Sequence, residues 1–239
     1  MLMSSPPAPA QDVAATTALD AITSRRSIRA FRPDPVSRDT IETLLRLAGT
    51  APSGSNIQPW SVHVVQGDKR RELSGLLLQA HHAGVEPTPE YQYYPKVWRP
   101  VFLERRRQTG WLLYESLGIR RGDREAAHAY RGSNYDFFGA PAGLIVTIGR
   151  DMEHGSWIDV GAFVQTFMIA ARTFGLHTCA QAAFANYGDL VRAALGIPGS
   201  EVVVCGISIG HADLAHPANR TRTPRAEIGA FTTFHWSEA

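Results

Sequence analysis

Near the start of the chain, the segment "SRRSIRAF" sets three guanidinium groups and a hydroxyl close together: Arg25, Arg26, Ser27 and Arg29. Crowding like charges is unfavourable unless an anion sits among them. Arginine suits phosphate because its planar fork donates paired hydrogen bonds, and a serine hydroxyl adds another. On this octapeptide alone a solvated helix end, where cations meet the negative pole of the dipole, is an equal alternative. No GxGxxG or GxxxxGKS run occurs, so a phosphate bound here must be held by side chains.

A second stretch, "APSGSNIQPW", supplies Pro52, Ser53, Gly54, Ser55 and Asn56, small side chains with approachable backbone amides. By composition it is a turn-rich loop. Gly206, Ser208 and Gly210 spell GxSxG, with Asp213 and His235 following in hydrolase order. That motif requires a sharp turn into a helix, whereas apolar alternation here runs straight through the serine, so a late core strand is the better reading. His81 with His82, and His211 with His216, lack the spacing of metal ligands, and no metal site is expected. Arg105, Arg106 and Arg107 are adjacent on a helix and point to different faces, as a solvated surface or subunit contact would.

The elements that position these residues follow from periodicity and caps. A short helix over about 17–25 precedes Pro33 and Pro35; Ser37 then caps a helix burying Ile41, Leu44, Leu45 and Ala48. "SVHVVQG" alternates as a half-buried strand, and the next helix carries Leu73, Leu76, Leu77 and Ala80. Residues 84–100 hold four prolines and four aromatics without a period, a surface excursion of the kind that carries function. An arginine-rich helix over 104–117 follows, then "APAGLIVTIG" as a buried strand. Ser156 opens an apolar helix ended by Gly175, a helix over 188–195 stops at Gly196, and "EVVVCGISIG" makes the last strand before an extended tail from His211. These expectations describe an α+β class: one domain over residues 16–239 behind a flexible segment 1–15.

The formal net charge is only +2, which argues against a protein that coats nucleic acid; the arginine cluster is local. Cys179 and Cys205 form no CxxC pair and read as buried free thiols in a reducing compartment. No signal peptide and no run of 18 apolar residues is evident, so a cytoplasmic protein with no membrane contact is expected.

Taken in order, "RRSIRAF", "APSGSNIQPW", "GLHTCAQAAF" and "NRTRTPR" resemble the nitroreductase family of FMN-dependent enzymes, from about Ala18 to Trp236. The excursion with "YYPKVW" and "LGIRRGD" resembles a subgroup that reduces nitroaromatic compounds. The resemblance implies a homodimer with FMN at the interface, a central, mostly antiparallel sheet flanked by helices, and a C-terminal arm wrapping the partner. It implies that Arg25, Arg26, Ser27 and Arg29 bind FMN, Arg25 at the phosphate and Arg29 at the pyrimidine side. Pro52, Ser53, Gly54 and Asn56 would come from the other subunit. Ala180, Gln181 and Ala182 would lie along the isoalloxazine, and Arg225 with Arg222 would close on the phosphate. The chain departs from the family pattern at Ala180, where relatives often carry proline.

The resemblance further implies ping-pong transfer from NAD(P)H to flavin N5 and on to small aromatic or quinone-like oxidants, with Arg29 stabilising reduced flavin and no side-chain nucleophile. Ser55, Tyr94, Trp98, Phe137 and Phe138 are candidates to line the substrate, alongside Tyr91 and Tyr93; burial at a dimer contact is the competing role for the aromatics. Quinone or ene reduction, dehalogenation on the same scaffold, a non-catalytic flavin carrier and the serine hydrolase are the rival activities.

Overall fold

The computed structural model describes residues 13–236. Most of the segment expected to be flexible, residues 1–12, lies outside them. Its last residues are tied down: Ala15 N donates to Arg172 O at 2.8 Å, and Val13 O accepts from Arg172 Nη2 at 2.9 Å.

Seven helices and four strands alternate irregularly along the described residues. The first two helices, α1 (Ala18–Ser24) and α2 (Arg38–Ala48), begin where the caps demand. Thr17 and Asp20 form a reciprocal capping box, and the Ser37 hydroxyl accepts from Thr40 N. Strand β1 (Trp60–Gln66) leads into α3 (Gly67–His82). The arginine-rich helix α4 (Pro100–Ser116) starts earlier than its charge pattern indicates, because Pro100 occupies a first-turn position where its missing N–H costs nothing. Helix α5 (Arg124–Gly132), opened by the Asp123 carboxylate, was not expected from the sequence. Strand β2 (Ala142–Gly149), helix α6 (His154–Thr173), strand β3 (His177–Gln181), helix α7 (Gly188–Leu195) and strand β4 (Glu201–Gly210) complete the order. Helix α6 begins two residues before Ser156.

The strands form one antiparallel sheet in the order β1-β2-β4-β3. A bulge leaves Val204 unpaired between Cys205 and Val203, and its carbonyl accepts the Tyr91 hydroxyl at 2.6 Å. Alternation along β2 and β4 feeds two apolar layers. Leu144, Val146, Ile148, Ile207 and Ile209 pack with α2 and α6; Ile145 and Val203 pack with α3 and α7. Among the described residues no helix is long and apolar enough to cross a membrane.

Glycines shape the second layer. A side chain at Gly143 or Gly206 would collide with the rings of Phe137 and Phe184, which stack 4.5 Å apart across the two strands. Phe137, Phe138 and Gly139 all adopt left-handed backbone, a turn tied to α3 by Arg70 Nη1 donating to Asp136 O at 3.0 Å. This corrects the expectation for Phe137: it is fully buried core, filling the space over Gly143, and does not line a ligand site.

Candidate functional site

The arginine segment leaves α1 as an extended edge beside β3. Ser27 bridges Thr178 in parallel, and Ile28 N donates to Thr178 O at 3.1 Å. From the other end of the chain, Asn219 reaches the same place. Its buried carboxamide accepts Arg29 N at 2.7 Å and donates to Ala30 O at 2.8 Å and Asp213 O at 2.7 Å. The turn after Asn219 then brings Arg222 and Arg225 round.

Arg25 and Arg225 end close enough to repel. Burial, then the charge of Arg225, holds the Arg25 guanidinium below its ordinary pKa. No carboxylate lies within ion-pair distance of either among the described residues. Arg26 carries Nε and Nη1 into the interior without a hydrogen-bond partner, and the hydroxyls of Thr178 and Tyr130 are likewise buried and unpartnered. The Tyr130 hydroxyl is pushed up to about 12 by burial, with the Arg29 charge pulling the other way. Cys179 lies beneath; burial raises its thiol pKa against the pull of Arg29 and Arg25.

Buried donors left open, beside two like charges brought together, describe a cradle for an anion with polar edges. FMN fits on three counts: the arginines match a phosphate, the hydroxyls of Ser27, Thr178 and Tyr130 match ring heteroatoms, and the exposed Ala180 leaves β3 open to a flat ring.

The other expected residues fall as follows. Gln181 turns its side chain inward, donating from Nε2 to Asn134 O at 2.7 Å and accepting the Ser208 hydroxyl, so only its backbone faces the cradle. Ala182 follows, half-buried, at the end of β3. Arg222 turns Nη1 back onto the carbonyls of Asn219, Arg220 and Thr221 at 3.0–3.2 Å, stapling the turn. Arg225 Nη1 bonds the Thr223 hydroxyl at 2.8 Å.

Pro52, Ser53, Gly54, Ser55 and Asn56 stand elsewhere in the same chain. Gly54 N donates to Asp159 Oδ2 at 3.2 Å, near the start of α6, whereas Ser24 accepts Arg172 Nε at 3.1 Å near its end. At 1.5 Å per residue those anchors are about 20 Å apart along α6. The loop itself is strained: Ser55, Asn56 and Gln58 have φ of 50°, 58° and 50° with no glycine among them. Phe138, also expected to line the substrate, is instead buried core behind Tyr130. Tyr94 and Trp98 stack 5.3 Å apart under Arg106, in a separate cleft beside α4.

Three residues of the cradle, Tyr130, Thr178 and Asn219, were missed by sequence reasoning. Asn219 stands inside "NRTRTPR", but its role is set by partners far away in sequence. Tyr130 stands in a helix of only nine residues, too short for its periodicity to be separated from the turns around it.

Ser208 is closed to hydrolase chemistry. It is fully buried within β4, its hydroxyl donates to Gln181, and Gly206 is small to admit Phe184. Cys179 and Cys205 are both free and buried.

The model of the nitroreductase family matches residues 22–211. The chain is 40% identical over 228 residues to a 4-nitrobenzoate reductase from Nocardioides sp., covering 94% of this chain and 92% of that one. It is 40% identical to a 4-nitrobenzoate reductase from Pseudomonas putida, over 89% of this chain and 93% of that one. The solved FMN-dependent nitroreductase NfnB from Mycobacterium smegmatis, in complex with NADPH, superposes with a TM-score of 0.87 at 37% identity, covering 92% and 98% of the two chains. With its arginine cradle built from both ends of the polypeptide and these likenesses along nearly all its length, the chain belongs to the nitroreductase family.

Proposed function

We propose that this chain is an FMN-dependent oxidoreductase that uses NAD(P)H to reduce nitroaromatic compounds to the nitroso and then the hydroxylamine level. The observation that carries the reading is the meeting of Arg25 and Arg225, beside the open donors of Arg26, with no carboxylate to neutralise them among the described residues. FMN phosphate is the matching anion. When bound, FMN supplies the two-electron chemistry, accepting hydride from a nicotinamide and delivering electrons to the nitro group.

The chain's own residues do the rest. Arg25 and Arg225 hold the phosphate, with Arg222 setting the turn that presents Arg225. Arg29, its backbone fixed by Asn219, places a positive charge at the pyrimidine edge, where added electron density collects, and so favours the reduced state. Ser27 and Thr178 offer hydroxyls to the ring, Ala180 to Ala182 give it a flat backbone floor, and Tyr130 covers one end from water.

Pro52, Ser53, Gly54 and Asn56 complete the site from a second copy of the chain, because α6 keeps them about 20 Å from the arginines of their own chain. Exposed Leu47, Ile57 and Ile158 beside that loop, and Phe231, Phe234 and Trp236 on the C-terminal arm, are the apolar surface such a dimer buries. The names of the relatives, 4-nitrobenzoate reductase among them, support a nitroarene as oxidant. A cytoplasmic location accords with two free buried thiols.

The purified protein is expected to be yellow, with one FMN per chain, and to consume NADPH anaerobically when 4-nitrobenzoate is added, yielding the hydroxylamine. A colourless protein that takes up no FMN overturns the proposal.

A further inference from the structure

Between α4, the turn over 117–123 and the start of α5 lies an open cleft of about 1320 Å³. Seven arginines line it, Arg106, Arg120, Arg121 and Arg124 among them, against only two carboxylates, Glu104 and Asp123. Asp123 is already engaged, accepting from Ala126 N at 2.9 Å as the cap of α5. None of the seven has a carboxylate within ion-pair distance among the described residues. Two of them lie on aromatic rings that line the cleft: Arg106 over Tyr94 and Trp98, 5.2 and 5.1 Å from the ring centres, and Arg121 over Trp111 at 4.6 Å.

Guanidinium groups without counter-charges, laid against flat indole and phenol faces, recognise a planar ring that carries a strongly anionic group. The cleft also adjoins the cradle. Ser116, at the end of α4, bonds Thr221 side chain to side chain at 3.1 Å, next to Arg222. Tyr114, on the cleft wall, packs edge-on against Tyr130 at 6.5 Å.

We propose that this cleft takes the phosphorylated adenosine end of NADPH, and that Arg106, Arg121 and Arg124 read its 2′-phosphate. The inference rests on the function proposed above and assigns to this chain a preference for NADPH over NADH. Adenine supplies the planar ring, and the 2′-phosphate supplies close to two negative charges. Size favours the dinucleotide over the nitroarene: the cleft is larger than the roughly 300–1,000 Å³ that holds a drug-sized ligand. A single substituted benzene would leave most of it empty. The nicotinamide and the nitroarene must both approach the flavin, so only the longer molecule has a remote end to place elsewhere.

The test is calorimetric titration of the FMN-loaded protein with 2′,5′-ADP, which has the 2′-phosphate but no nicotinamide, with 5′-AMP, and with benzoate. The expected result is that 2′,5′-ADP binds at least tenfold tighter than 5′-AMP. In the double variant Arg121→Ala/Arg124→Ala, both positions exposed on the surface, that preference falls tenfold to a hundredfold. Equal affinity for the two nucleotides in the unmodified protein overturns the inference without needing any variant. So does benzoate binding that the double variant abolishes, which would make the cleft a site for the oxidant's carboxylate. A preparation that takes up no FMN overturns the functional reading as well; FMN uptake with no preference for 2′,5′-ADP overturns this inference alone.

Discussion

The backbone amide of Arg29 donates to the side-chain carbonyl of Asn219 at 2.7 Å, joining the two ends of the polypeptide inside the cradle. The same carboxamide donates to the carbonyls of Ala30 and Asp213, so one buried side chain satisfies three backbone groups. Replacing it with alanine leaves all three open. Asn219→Ala is expected to lose about 2–4 kcal/mol of stability, seen as a lower denaturation midpoint, and to weaken FMN binding by loosening Arg29. An unchanged midpoint would mean that the amide clip is dispensable.

Arg25 and Arg225 repel each other in the protein without FMN, which gives their removal an unusual sign. Arg25→Ala is expected to leave the apo-protein no less stable, while FMN affinity drops about tenfold to a hundredfold through loss of charge-assisted bonds to phosphate. Thermal melts with and without FMN separate the two effects. A variant destabilised in both states by the same amount would assign Arg25 a purely structural role.

Arg172 is buried near the end of α6 and meets neutral partners at three nitrogens: Ser24 Oγ from Nε, Leu176 O from Nη1 and Val13 O from Nη2. It therefore fixes the exit of α1, and with it the start of the arginine segment. Arg172→Ala is expected to cost about 3 kcal/mol or more, and Arg172→Lys to recover little of it, because a single ammonium cannot span the fork. Urea titration of the two variants checks both statements.

How much of this was legible beforehand follows from how local each signal is. The Ser37 cap, the helix-ending Gly175 and Gly196, and the strands β1 and β4 are local signals, and the structure keeps them. The fold class and the family followed from motifs in order. Strand β3 went unread because "HTCAQ", mostly buried, shows no alternation, and α5 because its arginines and alanines give it only a short apolar face. Phe137 was misplaced because its neighbour Gly143 is a core signal only once β2 is laid beside it. The arginines of the cleft are separated in sequence by the end of α4, so only folding shows that they share a wall.

Alkaline pH acts on the buried thiols. Burial pushes Cys205 up to about 12 from an ordinary 9.0, so the unfolded chain gives up this proton first as pH rises. The stability that the neutral thiol contributes is complete below pH 9 and is lost as pH rises toward 12, by up to about 1.4 kcal/mol per pH unit. Cys205→Ala is expected to flatten that decline in urea titrations between pH 9 and 11. An equally steep decline in the variant would assign it to other groups, such as Tyr130.

Mixing subunits tests the shared site. Refolding Arg25→Ala chains together with Asn56→Ala chains is expected to restore tight FMN binding at one of the two sites in each mixed dimer, since one junction then carries neither lesion. Restoration absent from gel-purified mixed dimers would place both residues in a single chain's pocket.

Helix α6 works as a measuring rod. It gives every chain a cation-bearing half near one end and a strained loop near the other, their anchors at Arg172 and Asp159 about 20 Å apart. If each site is shared by two chains as proposed, pigment and pairing are reciprocally linked: dilution that parts the subunits must bleach them, and added FMN must draw them back together.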